Sequence, residues 1–201
     1  MSARGWALAF AGALTLAGVV VPVAGGAQTA IAPAPAARTL TLASLAPSGS
    51  TWMRALEAWN RELRRRSGGQ LSFRLYPNGV QGDESEIVRK IRAGRLDAGA
   101  MSAVGLAQIH RPTLAFQLPG LFDDYAQLDR SRAALRPELD AAFDHAGYTL
   151  LGWGDVGNDR PFATREVRTP AAFARTRAFV WRDDPIGRAL VAEIGAQGVE
   201  M

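Results

Sequence analysis

"QLSFRLYPNGVQGDESEIVRKIRAGRLDAGAM", residues 70 to 101, decides the fold. Leu71, Phe73 and Leu75 alternate with Ser72 and Arg74, so 70–77 reads as a half-buried strand that stops at Pro77. The loop NGVQG follows. Asp83 is then placed to cap a helix with Glu86 at its third position, Ile87 and Ile91 face inward, and Gly94 closes the helix. LDAGAM (96–101) reads as the next strand. Strand, helix and strand joined this tightly predict parallel strands linked by right-handed crossovers.

Toward the N-terminus, RTLTLASL (38–45) is another strand by its pattern, followed by the turn APSGS. From Ser50, Trp52, Leu56, Trp59 and Leu63 recur at helical spacing, while Glu57 and Arg61, and Glu62 and Arg66, stand four apart on the wet face. Arg64, Arg65 and Arg66 suit the negative end of that helix, and Gly68 and Gly69 end it. The whole series reads β-α-β-α-β. In open parallel sheets ligands bind beyond the carboxyl ends of the strands, so the turn Met101–Ala103 is expected to border a cleft. The small residues Ala98, Gly99 and Ala100 suit either a close ligand or a tightly packed helix.

Toward the C-terminus, 113–129 is aromatic and apolar and reads as a cleft wall or crossover, with Phe116, Leu118, Leu121 and Phe122 in it. A helix is expected to begin at Tyr125 and Leu128, and another to run from Leu135 to Ala146. YTLLGWGD (148–155) is expected as a strand, followed by a short strand at 161–164. A turn at Thr169-Pro170, a strand TRAFVW (176–181) and a helix 185–194 complete the pattern.

The chain opens on a leader. Arg4 precedes an apolar run from Trp6 to Val23 and the small residues AGGA, a pattern that predicts a cleaved signal peptide of residues 1–27. A Pro/Ala linker (28–37) follows. The 201 residues contain no cysteine, which removes thiolate nucleophiles and cysteine metal sites. Lys90 is the only lysine among 23 basic residues, and the net charge is +4. The high sequence pI of about 10.3 therefore reflects arginine, and the scattered charge gives no nucleic-acid footprint.

The chain has no GxxxxGK[ST] and no GxSxG. His110 and His145 have no ligand-like spacing, and the acid pairs Asp83-Glu84, Asp123-Asp124 and Asp183-Asp184 read as caps and wet turns, because adjacent side chains point apart. No metal, no cofactor and no enzyme activity are expected.

LAPSGSTWMRALEAWNRELRRRSGGQLSFRLYPNGVQGDESEIVRKIRAGRLDAGAMSAVGLAQI resembles the first lobe of the solute receptors of TRAP transporters, the tripartite ATP-independent periplasmic systems. The likeness continues through LPGLFDDYAQLD, GYTLLGWGD and RTPAAFARTRAFVWRDDP, from Thr39 to Met201. It implies an α/β, two-lobed periplasmic-binding-protein-like fold, the first lobe built on a parallel-rich sheet. It also implies capture of a small organic solute between lobes and delivery to TRAP-type membrane permease subunits. No nucleic-acid partner and no membrane insertion after leader removal are expected, and the location implied is the periplasm. The domains are then a first lobe at 38–152 and a hinge crossing with the start of a second lobe at 153–201. Two complete lobes need roughly a hundred residues more, so the second lobe is expected to be incomplete and the chain truncated at its C-terminus.

The resemblance also implies an arginine for a substrate carboxylate on the strand after the TP turn. Phe179 stands there, with Arg177 and Arg182 out of register, while VWRDDP resembles a branch with a Trp and an Asp. Recognition of something other than a simple carboxylate is therefore expected, with Phe179 and Trp181 as stacking surface and Asp184 as acceptor. Facing them, the strand-end rule nominates Ser50, Trp52, Glu84, Ser102 and Phe116, with Asn158 across the hinge. The plain alternatives are a cap for Ser50, core for Trp52 and Phe116, and a helix start for Glu84. Other readings of the chain are a partner-dependent or non-functional receptor fragment, the effector domain of a regulator, and an exported α/β enzyme.

Overall fold

In the computed structural model, residues 36–155, 157, 160 and 162–200 are described. The first sheet has three parallel strands in the order β2-β1-β3. They are β1 (Arg38–Ser44), β2 (Leu71–Tyr76) and β3 (Ala98–Ala100). Leu40 pairs with Phe73, and Leu42 with Ala98. Between them run α1 (Thr51–Arg66) and α2 (Glu84–Arg92). This is the β-α-β-α-β order that the alternation and helical spacing predicted.

The joins are explained residue by residue. β2 is an edge strand, and Asn60 of α1 covers its open backbone at Phe73: its amide donates to the Phe73 carbonyl at 2.7 Å and accepts from the Phe73 N–H at 2.7 Å. Trp59 lies against the Phe73 ring, centroids 5.1 Å apart. β3 is shorter than expected, with only three residues. Its seat is secured from outside the ladder, since the Asp97 carboxylate accepts from both the N–H and the hydroxyl of Thr41 at 2.8 Å. Those two bonds, the backbone one first, hold the Asp97 carboxyl below its ordinary range.

The core of this lobe is Ala43, Ile87 and Leu96, with Tyr76, Ile91 and Met101 packed on it. Gly99 answers one of the questions posed by the small residues of β3. A Cβ there would lie 2.9 Å from Ile87 Cγ2, so the glycine lets α2 pack directly on the strand. Asp83 caps α2 through the Glu86 N–H, as expected. On α1, Glu62 pairs with Arg65 and Arg66, which pull its carboxyl down to about 2, Arg65 contributing most.

After β3 come α3 (Ala103–Ala107), a 3₁₀ helix (Arg111–Gln117) and α4 (Tyr125–His145). Two helices were expected in the last of these segments, and the structure has one of 21 residues. It runs through Pro137, whose missing N–H costs one helical bond. Buried Leu128, Leu139 and Phe143 on either side of the proline hold the helix together.

The expected strand at 148–155 is not formed. Tyr148, Leu150 and Trp153 gain shelter by other means: Arg92 donates to the Tyr148 hydroxyl, Arg136 donates to the Leu150 carbonyl, and the Trp153 ring lies edge-on to Phe116. The short strand expected at 161–164 is also missing from the described residues. Pro161 lies outside them, and Phe162 is exposed, so no neighbour supplies a ladder there.

A second parallel pair joins β4 (Arg177–Val180) to β5 (Gln197–Glu200). They flank α6 (Pro185–Ile194), with the short α5 (Pro170–Phe173) before them. Thr169 caps α5 where only a turn was expected. β5 was not anticipated.

Candidate functional site

A cleft of about 860 Å³ opens where the strand-end rule put it, beyond the carboxyl ends of β1 and β3. Its floor is Ser44–Ala46 and Ala100–Ala103, and Trp52 of α1 closes one side. The small residues of β3 thus serve both purposes: Gly99 admits α2 beneath, while Ala100 and Ala103 leave room above.

Glu84 anchors the floor. It is 4% exposed, and its carboxylate accepts three hydrogen bonds. The Ser102 N–H donates at 2.7 Å, the Ser102 hydroxyl at 2.7 Å and the Gly105 N–H at 2.8 Å. The Ser102 hydroxyl also accepts from the Val104 N–H and so caps α3. Gly105 is required by closeness, because a Cβ there would sit 2.7 Å from Glu84 Oε2. Glu84 therefore fixes the β3–α3 turn that borders the cleft.

The opposite wall is aromatic. Phe116 and Trp153 meet at 5.3 Å between centroids, and the Arg132 guanidinium lies over both rings, 5.8 and 5.4 Å from their centroids. Arg132 also pairs with Asp155 at 2.9 Å and Asp129 at 3.4 Å. Its side chain is only 12% exposed. Arg132 Nε, Trp153 Nε1 and Gln117 Oε1 are buried without a hydrogen-bond partner among the described residues. All three residues line the cleft, together with Asp123 and Asp124.

Of the residues nominated from the sequence, Trp52, Glu84, Ser102 and Phe116 line this cleft. Ser50 does not line it and is the α1 cap, accepting from the Met53 N–H. Asp184 caps α6 through the Ile186 N–H. Phe179 is 63% exposed on β4, and neither it nor Trp181 borders the cleft. Asn158 lies outside the described residues. In each acid pair one member is a cap: Asp83, Asp124 and Asp184. Asp183 instead accepts from the Ser85 hydroxyl at 2.6 Å, which ties α2 to the start of α6.

Sequence reasoning missed Arg132, Trp153, Gln117 and Asp155. The cue for Arg132 was its spacing: it stands four residues after Leu128 and seven before Leu139, on the buried stripe of α4. GWGDVG (152–157) has the glycine spacing GxGxxG. A dinucleotide loop needs that spacing between a strand and a helix. Here neither flanks it among the described residues, and a Cβ at Gly154 would overlap the Trp52 ring.

Short βαβ units with a cleft at their carboxyl ends place the chain among the α/β proteins that bind ligands beyond their strand ends. The chain belongs to the bacterial extracellular solute-binding protein family 7 (DctP), whose model matches residues 42–201. This is a family of receptors and not of enzymes. The 2,3-diketo-L-gulonate-binding periplasmic protein YiaO of Escherichia coli (strain K12) is 27% identical over 126 residues, covering 58% of this chain and 36% of that protein.

Among solved structures, a TRAP periplasmic solute-binding protein from Sulfitobacter sp. NAS-14.1 with bound beta-D-galacturonate superposes with a TM-score of 0.72 at 19% identity, over 82% of this chain and 55% of that one. One from Ralstonia eutropha H16 with bound (S)-2-acetolactate gives 0.70 at 25% identity, over 81% of this chain and 53% of that one. The chain therefore spans about a third of the curated relative in its match, at 36%, and about half of these structures, at 55% and 53%.

Proposed function

We propose that this chain captures a small organic solute in the cleft between Glu84–Ser102 and Phe116–Trp153, and that delivery to a TRAP-type membrane permease follows. The observation that carries the reading is the position of the cleft, at the carboxyl ends of parallel strands in a chain of this receptor family. Residues 38–152 serve as the first lobe, and 153–201 as the crossing and the start of the second. The relatives bind galacturonate and acetolactate, which makes hydroxylated organic acids the first solutes to try.

The leader pattern of residues 1–27 supports export to the periplasm with removal of that segment. No helix among the described residues is long and apolar enough to cross a membrane. Capture involves no covalent step. A ligand moves the chain toward a closed form only by the difference in its affinity for the two forms.

The test is thermal unfolding of the purified chain against organic acids, sugars, amino acids and amides. A solute that binds only the folded state stabilises it by about 2.7 kcal/mol at a hundredfold excess over its dissociation constant. A midpoint raised by one solute class is the expected result. A midpoint that no member of the panel raises would overturn the reading.

A further inference from the structure

Three polar atoms of residues that line the cleft lack a hydrogen-bond partner among the described residues: Arg132 Nε, Trp153 Nε1 and Gln117 Oε1. All three residues line the cleft, and Arg132 and Trp153 are in direct contact. The Arg132 guanidinium lies 5.4 Å from the Trp153 ring centroid and 5.8 Å from that of Phe116, and Gln117 follows Phe116 in the chain. Two of the atoms are N–H donors and one is an amide oxygen. Each is shielded from bulk water, so each carries an unrelieved desolvation penalty.

The chemistry of the missing partner follows from what each candidate group can do. A carboxylate oxygen only accepts, and would leave the Gln117 oxygen unpaired. An ammonium only donates, and would leave both N–H groups unpaired. A hydroxyl does both, and two neighbouring hydroxyls satisfy all three atoms. Charge points the same way, because Arg132 is already paired with Asp155 and Asp129 and offers little net pull on an anion. We propose that Arg132 Nε, Trp153 Nε1 and Gln117 Oε1 form a hydroxyl-reading corner, which takes the vicinal-diol part of a polyhydroxylated solute. A sugar-like carbon face then stacks on the Phe116 and Trp153 rings. This inference rests on the reading of the cleft as the solute site.

The test compares two six-carbon monocarboxylates, D-gluconate and hexanoate, with sorbitol as the uncharged polyol, by calorimetric titration of the full chain. The variants are Trp153→Phe, which keeps a ring and removes the N–H, and Gln117→Leu. The expected result is gluconate bound at least about tenfold more tightly than hexanoate, with each variant erasing about tenfold of that preference. Gln117→Leu should leave the unfolding midpoint of the free chain unchanged, since Gln117 Oε1 has no partner among the described residues to lose, whereas Trp153→Phe also trims the ring packed on Phe116 and Arg132 and should lower the midpoint slightly, so its binding is compared below that midpoint. Equal binding of gluconate and hexanoate would overturn the proposal, as would a preference that both variants leave intact, the sign that water alone fills the corner. If only amino acids or amides bind, the corner is refuted and the receptor reading stands. If no solute of any class binds, both fall.

Discussion

Replacing Glu84 by Gln tests whether one buried carboxylate holds the cleft floor in place. The glutamine has the same shape but exchanges one acceptor oxygen for an NH₂ donor. In the structure Oε1 faces the Ser102 N–H, while Oε2 faces both the Ser102 hydroxyl and the Gly105 N–H. Whichever way the amide turns, it sets a donor against a backbone N–H at a site 4% exposed. At least one charge-assisted bond is lost and one buried N–H is left unpaired, a cost of about 3 kcal/mol. For a folded region of this size, that lowers the unfolding midpoint by about 6–12 °C.

Ser102→Ala removes only the hydroxyl, which caps α3 and donates to Glu84, and should cost about 1–2 kcal/mol. The double variant should lose less than the sum of the two, because both act on one network. The assay is thermal unfolding by circular dichroism at neutral pH. An E84Q midpoint within about 1 °C of the parent, or strict additivity with S102A, would refute the account of the floor.

Gly105→Ala drives a Cβ to within 2.7 Å of Glu84 Oε2 and 2.8 Å of Met101 Cβ, and should destabilise by about 1–3 kcal/mol in the same assay. Gly154→Ala presses on the Trp52 ring from an exposed loop. It should weaken solute binding in calorimetry by about tenfold or more and cost little stability, as small misplacements at a binding site do. Asp97 has a folded pKa below its unfolded value of about 3.9, so its contribution is present above that value and fades as pH falls through the folded pKa. Asp97→Asn should therefore lower the midpoint at pH 7, and the difference from the parent should shrink below about pH 4; a constant difference would mean that the carboxylate is not the cause.

The first lobe was legible because its signals are local. Alternation in 71–76, the Asp83 cap and the Ile87–Ile91 face each depend on neighbours in sequence, and they placed β2, α2 and the cleft beyond β3. The cleft residues Trp52, Glu84, Ser102 and Phe116 followed from the strand-end rule. Ser50 and Asp184 did not follow, because a Ser or Asp before a helix reads the same whether it caps or binds.

The segment 148–155 misled because an apolar pattern reports burial and not its means. Tyr148 is held by Arg92 of α2, and Trp153 by Arg132 of α4 and Phe116 of the 3₁₀ helix, instead of by a strand partner. The break expected before Leu135 failed for a related reason: packing of Leu128, Leu139 and Phe143 outweighs the single bond lost at Pro137. Arg132 escaped notice because its role depends on Phe116, Trp153 and Asp155, which converge only in the folded chain.

The most direct test of solute capture in this cleft is the indole N–H region of a nitrogen–proton correlation spectrum, recorded as D-glucuronate or another binding solute is added. The sequence has five tryptophans, and two of them, Trp52 and Trp153, line the cleft. Trp59 lies on Phe73 of β2, and Trp181 stands at the end of β4, both away from it. Saturable shifts at Trp52 and Trp153, with Trp59 unmoved, are the predicted result. Saturable shifts at Trp59 or Trp181, with Trp52 and Trp153 unchanged, would contradict the account.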